Sequence, residues 1–175
     1  MADSTKKPSR LVLAGVLATA LAVPAEGLRQ VAYRDPVGIL TACRGHTGPD
    51  VHDGGRYSLA QCDQWMTDDM RSAIAQVDRC APGLPPEALA AFGDAVFNMG
   101  PTIACDTKAS TAARYLRAYS TGAVYRSDSG VPLLHAACDQ LPRWDKARVA
   151  GVLMSLPGLT KRRAAERELC VRGAA

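Results

Sequence analysis

The feature that most constrains this chain is its set of six cysteines, Cys43, Cys62, Cys80, Cys105, Cys138 and Cys170, all of which follow a short basic and apolar leader. An even number of cysteines behind such a leader is the pattern of disulfide staples in an exported domain, and three bridges are expected. Six cysteines allow fifteen connectivities, and spacing alone does not choose among them. No pair has the CxxC spacing of a redox or zinc site, and the three histidines are scattered, so no metal and no other cofactor is expected.

The leader itself is legible. Lys6, Lys7 and Arg10 precede an uncharged run from Leu11 to Ala25, which is the order of an export signal with its basic end held in the cytoplasm. As a helix the run covers about 22 Å at 1.5 Å per residue, against roughly 30 Å of hydrocarbon, so it makes a poor permanent anchor. It is either cleaved after Val23-Pro24-Ala25 or kept as a temporary tether to the inner membrane. A buried core helix is the third reading, less favoured because export accounts for the basic flank as well. The chain is therefore divided into residues 1–25, a signal-anchor segment, and residues 26–175, one domain.

The rest of the chain fits a single globular domain. It is 175 residues long, with 47% apolar, 22% charged and only 5% aromatic residues, a palette suited to a small helical core of Ala, Leu, Val and Met. Of the net charge of +4, half belongs to the leader. The remaining +2 gives no sign of nucleic-acid binding; it suits an anionic polymer such as a cell wall, and it is also ordinary for a domain with no charged partner.

Between Glu26 and Gly48 the pattern predicts a small β-hairpin, with Asp35-Pro36-Val37-Gly38 as its turn and residues 39–43 as a strand. Ser58-Leu59-Ala60-Gln61 reads as a capping box opening a helix of about five turns through Cys62, Trp65, Met66, Met70, Ala73, Ile74 and Val77. Pro86 starts a second helix to Asn98, and further helices are expected near 107–120, 133–141 and 160–171, with Ser127 to Pro132 and Pro157-Gly158 as breakers. The fold class is α+β, mostly α: a hairpin lobe and a helical lobe with a cleft between them. The Trp and Phe residues are expected in the core.

Glu26 and Asp35 flank the first hairpin strand, and Thr41 follows on the next. One protonated carboxyl and one ionised carboxylate across a cleft are the tools of glycoside hydrolysis, although two acids at this spacing are weak evidence alone. Their setting is distinctive: Glu26-Gly27-Leu28-Arg29-Gln30-Val31-Ala32-Tyr33-Arg34-Asp35, then Gly38-Ile39-Leu40-Thr41 and Arg44-Gly45-His46-Thr47-Gly48. Phe97-Asn98-Met99-Gly100, Cys138-Asp139-Gln140-Leu141 with Arg143-Trp144, and Gly158-Leu159-Thr160-Lys161-Arg162-Arg163 to Cys170 follow in order. Over roughly residues 26 to 172 the chain resembles the phage T4-type lysozyme family, glycoside hydrolase family 24. With its leader it looks like the signal-anchor-release endolysins of phages such as phage 21.

The resemblance implies a two-lobed lysozyme-like fold and a muramidase that cuts the β-1,4 bond between N-acetylmuramic acid and N-acetylglucosamine of peptidoglycan, with inversion. It assigns Glu26 as general acid, Asp35 as the residue that positions or activates water, and Thr41 as its helper. Thr47, Phe97 and Ser110 would line the saccharide groove. Inversion requires the carboxyls to stand about 6.5 to 9.5 Å apart. The acid role demands a drier surrounding for Glu26 than for Asp35, with Arg29, Arg162 and Arg163 as groups that could oppose it.

The resemblance also implies export by the Sec route, tethering to the inner membrane through residues 11–25 and release into the periplasm, as a monomer. Cys80 and Cys105 stand beyond the four cysteines of the resembled group, and both border the Pro86 helix, so they are expected to pair. His46 is expected to be structural. Lys161, Arg162 and Arg163 follow an expected cap at Thr160, where positive charge opposes the helix dipole; they could meet the wall polymer or a carboxylate of the other lobe, with a solvated helix face as the favoured reading. Ile39-Leu40 and Arg44 depart from the aromatic and polar residues usual in relatives. Two alternatives are a non-catalytic peptidoglycan-binding envelope protein, against which all three site residues are present, and a lytic transglycosylase, which needs neither Asp35 nor Thr41.

Overall fold

The computed structural model describes residues 8–35, 38–123, 130–149 and 151–174. The elements run α1 (Arg10–Ala25), β1 (Arg29–Arg34), β2 (Leu40–Cys43), α2 (Leu59–Cys80), α3 (Pro86–Met99), α4 (Thr102–Cys105), α5 (Thr111–Ser120), α6 (Leu133–Cys138), a 3-10 turn (Leu141–Trp144), β3 (Lys146–Val149), β4 (Val152–Ser155) and α7 (Pro157–Gly173). The α+β expectation holds, with two antiparallel hairpins beside a helical bundle.

Helix α3 is the axle of the bundle. Ala88 to Val96 are buried all round, as expected for a helix that is apolar on every face, and α1, α2 and α7 pack around it. Gly93 lets α2 come close: a Cβ there would stand 2.7 Å from Ile74 Cγ1. Helix α2 starts where the capping box placed it, with Ser58 Oγ accepting from Gln61 N at 3.1 Å. A second, smaller core of Ala42, Cys43, Val51, Cys62 and Trp65 sits under the hairpin lobe. The expectation of core aromatics is met in part: Phe92 is fully buried and Trp65 nearly so, while Phe97 is only half-buried.

Three disulfides tie the pieces together. Cys43–Cys62 joins β2 to the start of α2, Cys80–Cys105 joins the end of α2 to α4, and Cys138–Cys170 joins α6 to α7. The expected Cys80–Cys105 pair is among them. They close 19, 25 and 32 residues of sequence, each constraining the unfolded chain by about 3 kcal/mol on a chain-entropy account.

The leader gives the main surprise. The third reading of residues 11–25, which the sequence disfavoured, describes how they sit here: one face of α1 is in the core, with Ala14, Ala18 and Ala22 at 0% exposure against α3 and α2. The opposite face leaves Leu11, Val12 and Val16 exposed. Arg10 pins the start of α1 by donating to Asp78 at 2.7 Å and to the Leu84 carbonyl at 3.0 Å. No described helix is long and apolar enough to cross a membrane, in line with the 22 Å length argued above.

Other boundaries moved for local reasons. Helix α5 starts at Thr111 rather than near 107, because the Asp106 carboxylate takes Lys108 N and Ala109 N into a turn and Ser110 is the N-cap. Helix α7 starts at Pro157, so Pro157-Gly158 opens the helix and Thr160 lies inside it. The β3–β4 hairpin was not foreseen; its register is Lys146↔Ser155 to Val149↔Val152. The turn around Pro36 and Val37, and the breaker at 127–129, fall outside the described residues.

Candidate active site

Two elements deliver Glu26. Its N–H closes α1 by donating to the Ala22 carbonyl at 3.0 Å, and its own backbone is already extended, φ −95° and ψ 128°, as the chain turns toward β1. Glu26 thus stands at the junction of the helical lobe and the hairpin, with its side chain 21% exposed. Across from it the hairpin lobe folds back sharply: Ala42 and His46 exchange both backbone hydrogen bonds at 2.9 Å, Cys43 takes a left-handed φ of 59°, and Gly45 has φ 91°. A Cβ on Gly45 would meet Glu26 Oε2 at 3.7 Å, so the turn lies directly against the acid. Disulfide Cys43–Cys62 braces that left-handed residue.

Asp35 ends β1 and is held by its own hairpin. Its Oδ1 accepts from Ile39 N at 2.8 Å, its N–H donates to the Ile39 carbonyl at 2.9 Å, and its carbonyl accepts from Gly38 N at 2.9 Å, the closing bond of the expected turn. Thr41 is buried in β2, paired in register with Tyr33, and its hydroxyl donates to the Ile39 carbonyl at 3.1 Å. One cavity of about 520 Å³ is lined by both Glu26 and Asp35, together with Arg29, Tyr33 and Arg34. The Arg29 guanidinium lies 4.5 Å over the Tyr33 ring.

A second cavity, about 370 Å³, continues past Glu26 along α2 and α3 and includes Thr47 and Phe97. Of the three expected groove residues, these two share a cavity with Glu26. Ser110 does not: it is 1% exposed, donates to the Ile103 carbonyl at 2.6 Å and accepts from Ala113 N at 3.2 Å, so its hydroxyl is used in capping α5.

Behind Glu26 lies a buried charge network. Arg162 Nη1 donates to Glu26 Oε1 at 2.5 Å, while its Nε and Nη2 donate to the two oxygens of Asp94 at 2.9 and 2.8 Å. Arg163 donates to Glu166 and, at 3.5 Å, to Met99 Sδ. Glu166 also lies 3.8 Å from Arg162 Nε. Arg162 and Arg163 therefore do not form a solvated helix face, and the carboxyls they meet are not in the other lobe: Asp94 and Glu166 belong to their own helical lobe and Glu26 to the junction. Lys161 stays exposed.

Burial works against the charge on Arg162, but Asp94 and Glu26 outweigh it and hold the guanidinium more firmly protonated than an ordinary arginine. Burial, then the neighbouring Asp94, pushes Glu166 up to about 10. Burial lowers Arg163.

His46 is structural, as expected. It stacks on Trp65 at 4.2 Å and is bracketed by Asp69 at 2.7 Å and Asp50 at 3.2 Å. Burial opposes its charge, yet the two carboxylates prevail and raise it above its ordinary value. Among the described residues no group of His, Cys, Asp and Glu could hold a metal ion.

Sequence reading missed Asp94 and Glu166. The signal for Asp94 was a single charge inside an otherwise apolar helix; for Glu166 it was the i, i+3 and i, i+4 spacing from two arginines.

A hairpin lobe over a helical lobe, with two carboxyls opening on one cavity at their junction, defines a lysozyme-type glycosidase. The chain belongs to the phage lysozyme family, whose model matches residues 24–166. It is 32% identical over 149 residues to the SAR-endolysin of bacteriophage PS119, covering 85% of this chain and 77% of that one. The SAR-endolysin of Enterobacteria phage P21 matches at 32% over 149 residues, 85% of this chain and 78% of its own. The fold is shared with an endolysin from Escherichia coli O157:H7 phage FAHEc1, at TM-score 0.67 and 20% identity over 96% of this chain and 95% of that one.

Proposed function

We propose that this lysozyme is an endolysin that hydrolyses the β-1,4 bond between N-acetylmuramic acid and N-acetylglucosamine in peptidoglycan, using Glu26 as general acid and Asp35 as the residue that activates water. The observation that carries this reading is the single cavity lined by both carboxyls. Glu26 gives its proton to the leaving glycosidic oxygen; Asp35 takes a proton from the water that attacks the sugar carbon from the opposite face. Thr41, which the resemblance makes the helper of that water, is buried in β2 with its hydroxyl on the Ile39 carbonyl and is not among the residues lining the cavity. Arg29 and Arg34 give the cavity the positive lining that an acidic wall polymer favours. Thr47 and Phe97 would carry the groove onward.

The signal-anchor name of the relatives, together with the basic and apolar leader, supports a route in which the chain is exported, tethered through residues 11–25 and then released to the periplasm. The tethered and the packed states of α1 exclude one another. Because Glu26 caps α1, withdrawing α1 into a bilayer takes Glu26 from its place beside Arg162. Enzyme activity would then await release. The enzyme acts as a monomer and has no nucleic-acid partner in this reading.

The test is clearing of outer-membrane-permeabilised bacteria by the oxidatively refolded full chain beside Glu26→Gln, which keeps the shape without the transferable proton. Only the wild type is expected to clear cells; a folded Glu26→Gln chain that clears equally well would overturn the assignment. Product analysis separates hydrolysis, which leaves a reducing sugar, from transglycosylation, which leaves an anhydro end.

A further inference from the structure

We propose that Asp94 is a positioning residue for the reaction: it fixes the Arg162 guanidinium from behind, so that Nη1 is aimed at Glu26, and its charge balances the one that Arg162 brings to the acid. This rests on the reading of Glu26 as the general acid.

The geometry is a relay of donors. A guanidinium has a planar fork of N–H groups, and two of them lie on the two oxygens of Asp94 at 2.9 and 2.8 Å. With that edge locked, the remaining edge can only point at Glu26, which it reaches at 2.5 Å. Phe97, with its ring centroid 5.9 Å from the guanidinium, borders the same group. Asp94 is 0% exposed on an axle helix whose surrounding positions are all apolar. Buried ion pairs of this kind add little to stability compared with well-packed apolar residues, so packing alone does not account for an aspartate here.

Glu26 comes from the end of α1, Asp94 from α3, and Arg162, Arg163 and Glu166 from α7: three carboxyls against two guanidiniums. The cavities in front add Arg29, Arg34 and Asp35 from the hairpin, Arg44 from the turn after β2, Asp69 from α2 and Lys161 from α7. Among the described residues Asp94 is the one buried carboxylate paired edge to edge with Arg162. Without its charge the full attraction of Arg162 would fall on Glu26 and favour the deprotonated form, which cannot act as an acid.

The experiment compares wild type, Asp94→Asn, Leu116→Ala and Glu26→Gln, each oxidatively refolded as the full chain, on purified glycan strands across pH. Leu116 is buried in α5, away from the site, and controls for lost stability. Asp94→Asn is expected to lower kcat by about 100-fold with KM little changed, since a misaimed catalytic group is costly, and to move the alkaline limb of activity to lower pH. Leu116→Ala is expected to melt earlier with both the limb and kcat unchanged. Folded Asp94→Asn with wild-type kcat and an unmoved limb overturns the proposal. If Glu26→Gln is also active, the underlying reading fails; if it is dead, only the Asp94 role fails. Should Asp94→Asn not refold, Arg162→Lys carries the test: an ammonium cannot hold Asp94 by two parallel bonds and also reach Glu26, so kcat falls similarly, and an undiminished kcat overturns the proposal.

Discussion

The two carboxyls of the cleft are held in opposite ways. Asp35 is held in its own hairpin, through Gly38 and Ile39, three and four residues away. Glu26 is fixed by Arg162, 136 residues downstream, which Asp94 in turn holds across a separation of 68. One acid sits on a local turn near solvent, the other at the seam of a buried bundle. The site is therefore half local and half global: the acid depends on assembly of α1, α3 and α7, while the hydrogen bonds described for Asp35 lie within its own hairpin.

That contrast is broken most strongly at the acids. Glu26→Gln should remove activity by about 10³-fold or more, and Asp35→Asn by about 10²-fold or more. The two should part company in stability: Asp35→Asn should leave the melting temperature within experimental scatter, whereas Glu26→Gln, which disturbs a paired buried arginine, should shift it. Activity on glycan strands and thermal melts check both.

The next effects come from α1. Ala18→Leu places a large side chain at a position with 0% exposure and should cost about 1 to 3 kcal/mol by overpacking, with activity falling alongside. Gly15→Leu meets nothing within 4 Å of its Cβ, so it makes the leader more apolar while leaving the core intact. It should raise the membrane-bound, inactive fraction in fractionated cells but leave the refolded enzyme active. Equal behaviour of the two variants would unlink the tether from the packed helix.

A smaller effect belongs to the hairpin lobe. His46→Asn removes an imidazolium held between Asp69 and Asp50, a charge-assisted arrangement worth about 2 kcal/mol. The folded pKa of His46 is raised, so this stability is complete below the unfolded value of about 6.5 and fades as pH rises through the folded value. Chemical denaturation should find the variant clearly weaker than wild type at pH 5 and closer to it at pH 9.

Glu166→Gln is read as a change of slope against pH. Above about pH 4.5 the unfolded chain releases the Glu166 proton while the folded chain keeps it up to about 10, so stability declines with pH in that window. A neutral glutamine removes the decline, and the variant should gain on wild type between pH 5 and 9. Parallel stability curves for the two would contradict a protonated Glu166.

How much of this was legible follows the same division. The hairpin, the capping box at Ser58 and the Pro86 helix were readable because each is set by neighbours in sequence, whereas the acids stood out only through the family resemblance. The sequence pattern puts a cap at Thr160 because Pro157 reads equally as a stop and as a first helical residue, and the structure uses it as the latter. The β3–β4 hairpin escaped because Val149, Val152, Leu153 and Met154 are apolar yet exposed, so their pattern marked no buried face. Residues 11–25 read as an address because a run of small apolar residues suits a bilayer and a helix interface equally; only the surface of α3 distinguishes them. Asp94 stood out only as a charge inside an apolar helix, and its role was out of reach because Arg162 is 68 positions away.

The most direct test of the account is the anomeric form of the new reducing end, followed by NMR while the refolded full chain digests purified glycan strands. Water delivered by Asp35 opposite Glu26 predicts that the first product is the α-anomer, inverted from the β-linkage, at carboxyl separations of about 6.5 to 9.5 Å. A first product with retained β configuration, or a 1,6-anhydro end, would contradict it.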